Sequence, residues 1–257
     1  MTIVITSIAP KLIVMTVDAA VIKDFETHRE YTTGRKCYCF PGVGCVATWG
    51  ERTGNKIGLF LDSQNIRSGT HSIEDLRDLV WKYLTEDYTP KEDNRGDVGF
   101  HVAGFDSNNR ARFFEMAYAP ESRREDSSGE KYYQKHDSSP EANSLRFSYG
   151  GRFNLAHTIV NIFFQEVRAN RDIRYDYLKP DGLIKLNDFV ARLSSELTKE
   201  VGPPFITYLV ASENKIERLQ NTAFCPIEDQ QITEKLKNLG FILPTPIADF
   251  GVNQDNL

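Results

Sequence analysis

A chain of 257 residues with only four cysteines has no disulfide framework to rely on. Thiols at that density fit a reduced, cytoplasmic setting. The five histidines, at 28, 71, 101, 136 and 157, are scattered and form no zinc motif. Cys37, Cys39 and Cys45 lack the usual ligand spacing, and read as buried thiols rather than a metal site. Basic charge has no surplus: 31 Lys plus Arg stand against 36 Asp plus Glu, a net charge of −5. That balance argues against a broadly basic nucleic-acid surface. Gly150-Gly151-Arg152 lacks the Gly-Lys-Ser/Thr of a phosphate loop, so no nucleotide site is expected. Long hydrophobic runs are missing too. The most apolar stretch, Met1 to Ile22, has no basic lead-in, is interrupted by Pro10-Lys11 and carries Asp18. It reads as neither signal peptide nor membrane span, and no membrane partner, cofactor or metal is expected.

What is present suffices for a large core. Hydrophobic residues make up 40% of the chain, with 16 Phe and 11 Tyr, which excludes whole-chain disorder. β-Branched runs at Thr2–Ile8 and Lys11–Val17 predict two strands around Ala9-Pro10-Lys11. Two more, Lys36–Phe40 and Gly44–Trp49, are joined through Pro41-Gly42. Residues 51–67 are ambiguous, with apolar positions at helical spacing but Gly54 and Gly58 among them. From Ser72 the pattern is helical, with Ser72 and Asp75 as a capping box and Ile73, Leu76, Val80, Tyr83 and Leu84 on one face. Val98–Phe105 and Ala111–Ala117 flank Asp106-Ser-Asn-Asn-Arg110, a hairpin signature. Residues 120–146 carry eleven charged side chains and read as a loop or mobile insertion. Helices are predicted over Phe153–Val167 and, after an Asn187 cap, from Phe189 to Val201. A second hairpin follows around Ser212-Glu-Asn214, then a polar tail with a short helix near Ile232–Leu239. The order predicts an α+β layered domain.

Thr2 follows the initiator Met and is small enough for ordinary methionine removal. A free α-amine on a hydroxyl-bearing residue supplies its own base: the amine accepts the hydroxyl proton while the oxygen attacks a carbonyl. A nearby cation and carboxylate would set the protonation states. Beginning at Thr2, the chain resembles the β-type subunits of proteasomes and the bacterial HslV-type proteases, which are threonine N-terminal-nucleophile hydrolases. The family pattern of Thr, strand, tight turn and a second strand ending in Asp is matched by Thr2 and Asp18, sixteen residues apart. The basic pair on the third strand is matched by Arg35-Lys36, two residues late. Gly50 stands fourteen residues beyond Lys36, where the family closes its fourth strand. Val102-Ala-Gly-Phe-Asp106, Phe147-Ser-Tyr-Gly-Gly151 and Val201-Gly-Pro-Pro-Phe205 match later turns more coarsely.

The resemblance spans residues 2–220 and implies a four-layer αββα sandwich of two antiparallel sheets flanked by helices. It implies one domain over 1–220, containing the 120–146 insertion, and a C-terminal extension over 221–257. It assigns Thr2 as nucleophile, Lys36 as the cation beside its hydroxyl, Asp18 as partner of Lys36, and the Gly50 N–H as oxyanion donor. Val21, Thr48 and Arg52 would line the specificity pocket, with Arg52 favouring an acidic or polar side chain. The function implied is a threonine peptidase in a self-compartmentalising homo-oligomeric ring, with a peptide or protein substrate and room for an unfoldase or regulator. The alternatives are an inactive subunit kept as scaffold or binding module, and an amidohydrolase for small substrates. Two departures bear on turnover: Gly151 stands where the family has a hydroxyl, with Ser148 three residues earlier, and the second carboxylate aligns with Thr198, near Glu200.

Overall fold

The computed structural model describes residues 2–24, 29–50, 54–88, 97–118, 133–140, 145–151, 158, 161, 179–198, 201–221 and 227–242. Of the expected helix at 153–167, Thr158 and Asn161 are described and helical; its other residues and Arg52 lie outside the described residues.

β1 (Ile3–Ala9) and β2 (Leu12–Asp18) turn on Pro10-Lys11, as the β-branched runs predict. Both are buried almost end to end, because each face of their sheet is covered. Alternation sends Ile3 and Ile5 of β1 to one side with Leu186 and Val190, and Val4 and Ile8 to the other. In β2, Leu12 and Val14 face the helices while Ile13, Met15 and Val17 face the second sheet. β10 (Arg146–Gly151), β11 (Phe205–Ala211) and β12 (Lys215–Asn221) complete a five-stranded antiparallel sheet of order β10-β1-β2-β11-β12.

The second sheet runs β5-β6-β7-β8-β9, from β5 (Cys37–Phe40) and β6 (Gly44–Gly50) through β7 (Val98–Phe105) and β8 (Ala111–Tyr118) to β9 (Tyr133–Asp137). Neighbours pair antiparallel throughout. α1 (Gly54–Ser63) and α2 (Ile73–Lys82) cover its outer face, where Ile57, Leu61, Leu76 and Val80 pack on Val46, Phe100, Val102 and Phe114. α3 (Pro180–Leu197) and α4 (Asp229–Asn238) cover the first sheet through Leu183, Ile184, Ile232 and Leu236. The result is two antiparallel sheets face to face, flanked by helices: the expected α+β sandwich.

Some details depart from expectation. The Ser72–Asp75 capping box forms as predicted, but α2 runs on into a π-helical stretch over Tyr83–Tyr88. α3 begins at Pro180, not after Asn187; Asn187 is mid-helix and wholly buried, accepting from Ser7 and donating to the Val14 carbonyl at 3.1 Å. Residues 133–137 of the charged 120–146 stretch form the edge strand β9 rather than loop. A small hairpin, β3 (Ala20–Asp24) with β4 (Arg29–Thr33), was not anticipated at all.

Candidate functional site

The tight turn at Pro10-Lys11 fixes the β1–β2 register, Val4 opposite Val17, and so returns Asp18 to the beginning of β1. There one carboxylate oxygen of Asp18 accepts the Ile3 N–H at 2.9 Å, and the other accepts Lys36 Nζ at 2.9 Å. Lys36 also donates to the Ala20 carbonyl at 2.5 Å. Asp18 is 0% exposed, Lys36 8% and Thr2 5%, so a charged pair is held in the interior beside the first residue of the chain's leading strand. Burial is the largest influence on both members and drives each toward its neutral form, Asp18 up and Lys36 down; their attraction and hydrogen bond oppose it.

Of the other expected residues, Thr48 is bonded to a member of this pair. Thr48 is buried on β6, and its N–H bonds the Lys36 carbonyl at 2.9 Å. Gly50 ends β6 at φ +102°, where any Cβ would overlap the Asp97 carbonyl oxygen. Val21, at the start of β3, packs against Gly34.

Gly151 explains one departure from the resemblance. It sits opposite Ile3 at φ +80°, and a Cβ there would run into the Thr2 carbonyl. The same hypothetical Cβ lies 3.4 Å from Trp49 Cβ, so Thr2 and Trp49 converge on this glycine, with Gly50 next along the chain. Ser148, by contrast, points into a polar cluster between the sheets. His101 is fully buried there, with Nδ1 2.8 Å from the Thr6 hydroxyl and Nε2 3.3 Å from Ser148. The Ser148 hydroxyl also donates to Glu115, which accepts from Ser138 at 2.8 Å. Trp49 and Phe113 meet the imidazole edge-on, at 4.9 and 5.0 Å between centroids. Burial pulls His101 down to about 4, so it is a neutral ring at physiological pH. Sequence reasoning missed this cluster because its members lie on four strands. The only signal was a lone histidine within the apolar run Val98–Phe105.

A third grouping brings the three thiols together. The sulfurs of Cys37, Cys39 and Cys45 lie within 4.8 Å of one another, Cys39 being 2.7 Å from Cys45 and 3.9 Å from Cys37. Burial pushes Cys37 and Cys45 up. Burial opposes ionisation of Cys39 as well, but hydrogen bonds from the two neighbouring thiols and the charges of Arg35 and Arg218 bring it down to about 5. Among the described residues this is the one grouping with the donor atoms of a metal site.

No protein-family model and no curated protein matches the sequence. Solved structures do match the fold. Anbu from Hyphomicrobium sp. strain MC1 is 11% identical over 93% of each chain with a TM-score of 0.56. Anbu, described as an ancestral beta-subunit, from Yersinia bercovieri is 12% identical over 93% of each chain, with a TM-score of 0.54. The helical assembly of the Anbu complex from Pseudomonas aeruginosa gives 14% identity over 96% of this chain and 99% of that one, with a TM-score of 0.55. At such identities the likeness establishes a shared proteasome-like sandwich and no more. Among the described residues, no helix is long and apolar enough to cross a membrane.

Proposed function

We propose that this chain is a proteasome-like N-terminal-nucleophile hydrolase of peptide bonds, with Thr2 as nucleophile once Met1 is removed. The observation that carries the reading is the buried Asp18 carboxylate, which binds the Ile3 N–H on one oxygen and the Lys36 ammonium on the other. A strand needs no buried ion pair to begin. A nucleophile at residue 2 does need a cation beside it and a carboxylate to hold that cation.

In this mechanism the Thr2 α-amine takes the hydroxyl proton while Oγ1 attacks the scissile carbonyl. The tetrahedral intermediate collapses, the ammonium returns its proton to the leaving amine, and an ester to Thr2 remains. Water, deprotonated by the same amine, then releases the acid. Lys36 favours the anionic oxygen electrostatically, and the Asp18 carboxylate opposes the burial that drives its ammonium toward the neutral form. The Gly50 N–H donates to the oxyanion, a contribution of about 3 kcal/mol in comparable sites. Val21 and Thr48 are pocket residues in this mechanism, with Arg52 assigned to the pocket by the resemblance alone. Leu59 on α1 and Phe189 and Leu197 on α3 are large apolar side chains left exposed on the outer helices. They suit packing between copies of the chain in a homo-oligomer, a cytoplasmic assembly in this reading.

Intact mass of the purified protein, followed by fluorogenic-peptide hydrolysis by wild type and Thr2→Ala, tests the proposal. Loss of Met1, together with activity that vanishes in the variant while native mass is unchanged, is the expected result. Equal activity in both sinks the nucleophile assignment. Retention of Met1 with no activity favours the second reading, a scaffold subunit. The observation behind that reading is Gly151, whose place against the Thr2 carbonyl leaves no room for a side-chain hydroxyl.

A further inference from the structure

We infer that Cys37, Cys39 and Cys45 form a three-thiolate site for one soft, closed-shell monovalent cation of the copper(I) type. The β5–β6 hairpin builds it. Alternation places Cys37 and Cys39 on the same face of β5, and the register sets Cys45 directly opposite Cys39. That face looks into the layer between the sheets, beside Ile206, Tyr208 and Ile216, while the intervening Tyr38 points to the helix side. Three sulfurs therefore converge where hydrophobic side chains alone would fill the space.

Size and softness choose the guest. Sulfurs around one small ion at a bond length of ~2.3 Å stand about 4 Å apart. The Cys37–Cys39 separation of 3.9 Å already has that value, and no sulfur is more than 4.8 Å from another. The 2.7 Å approach of Cys39 to Cys45 opens by rotation of the Cys39 side chain, the half-buried member of the three and the one an ion would meet first. The cluster contains no imidazole and no carboxylate, which excludes hard cations. Three sulfurs complete a trigonal shell, whereas zinc(II) would need a fourth ligand, and among the described residues the cluster has only these three. On binding, three S–M bonds form and the protons still on sulfur pass to solvent. The product is doubly negative, and Arg35 and Arg218 are the cations whose charge reaches it.

The experiment uses the full-length protein, reduced and handled without oxygen, titrated with copper(I) against a chromogenic copper(I) chelator. One copper per chain is expected, with X-ray absorption showing three sulfur neighbours at a single distance. Loss of an outer partner usually costs 10–100-fold in metal affinity, so loss of a ligand in Cys39→Ser should cost at least roughly a hundredfold. Circular dichroism checks that each variant is folded, and the wild-type measurements decide the matter if one is not. Failure of the wild type to compete with the chelator overturns the proposal. So does an absorption spectrum without three sulfurs, equal affinity in Cys39→Ser, or tighter binding of zinc(II) than of copper(I).

Discussion

Removing one member of the Asp18–Lys36 pair leaves the other charge buried with no counter-ion, which typically costs about 3–5 kcal/mol. Asp18→Asn keeps an oxygen for the Ile3 N–H but strands Lys36; Lys36→Met strands Asp18. Urea unfolding should show each single variant strongly destabilised and the double variant less so than the sum of the two. A purely additive result would mean that the pair is not coupled. Gly50→Ala meets two obstacles, a positive φ and the Asp97 carbonyl, so a loss of several kcal/mol is expected (~2 or more, by analogy with strained non-glycine backbone). His101 makes a pH prediction. Its pKa in the folded chain, about 4, lies below the ordinary 6.5, so on acidification the unfolded chain binds a proton that the folded chain refuses. Stability is therefore full above pH 6.5 and falls toward pH 4, by about 1 kcal/mol per pH unit at most. His101→Gln should flatten that slope in urea titrations run across the range. Asp18 and Lys36 were legible as candidates through the family resemblance, although one ends β2 and the other stands just before β5 in the facing sheet. The His101 cluster was not, since nothing in a linear sequence says that positions 6, 101, 115 and 148 face one another.

Elements were legible in proportion to how many of their faces are apolar. β1, β2 and β7 are buried on both sides, β11 nearly so, and all four announce themselves as β-branched or aromatic runs. β9 reads Tyr-Gln-Lys-His-Asp and vanished into a charged stretch, because an edge strand is protected by the very charges that disguise it. α3 was misjudged at its start: Pro180-Asp-Gly resembles a turn, yet proline is favoured in the first turn of a helix, and Gly182 is buried against the sheet. Asn187 looked like a cap because asparagine usually is one; here Ser7 and the Val14 carbonyl satisfy it inside the core. α4 belongs to a segment that read as a polar tail, but Leu236 is fully buried with Leu12, Leu183 and Leu219. Leu236→Ala should therefore cost about 2–5 kcal/mol. A change under ~0.5 kcal/mol, the size expected of surface substitutions, would show that α4 contributes nothing to the core.

At the scale of the molecule, the layers were predictable from element order, and the assembly rests on proposal. If the exposed Leu59, Phe189 and Leu197 pack between copies, replacing all three by serine or glutamate should lower the native mass without shifting the circular dichroism spectrum. An unchanged mass would place the contacts elsewhere. The strand order β10-β1-β2-β11-β12 also bears on synthesis. The first hairpin emerges early, but its flanking partners are encoded near residues 146–151 and 205–211. Ribosomes add about 5–20 residues each second, so strands buried on both faces in the native state wait on the order of 10–40 s with their edges bare. The segment that carries the proposed nucleophile is thus made before its flanking partners and enclosed only after them. It is the stretch of the nascent chain most in need of a chaperone's cover.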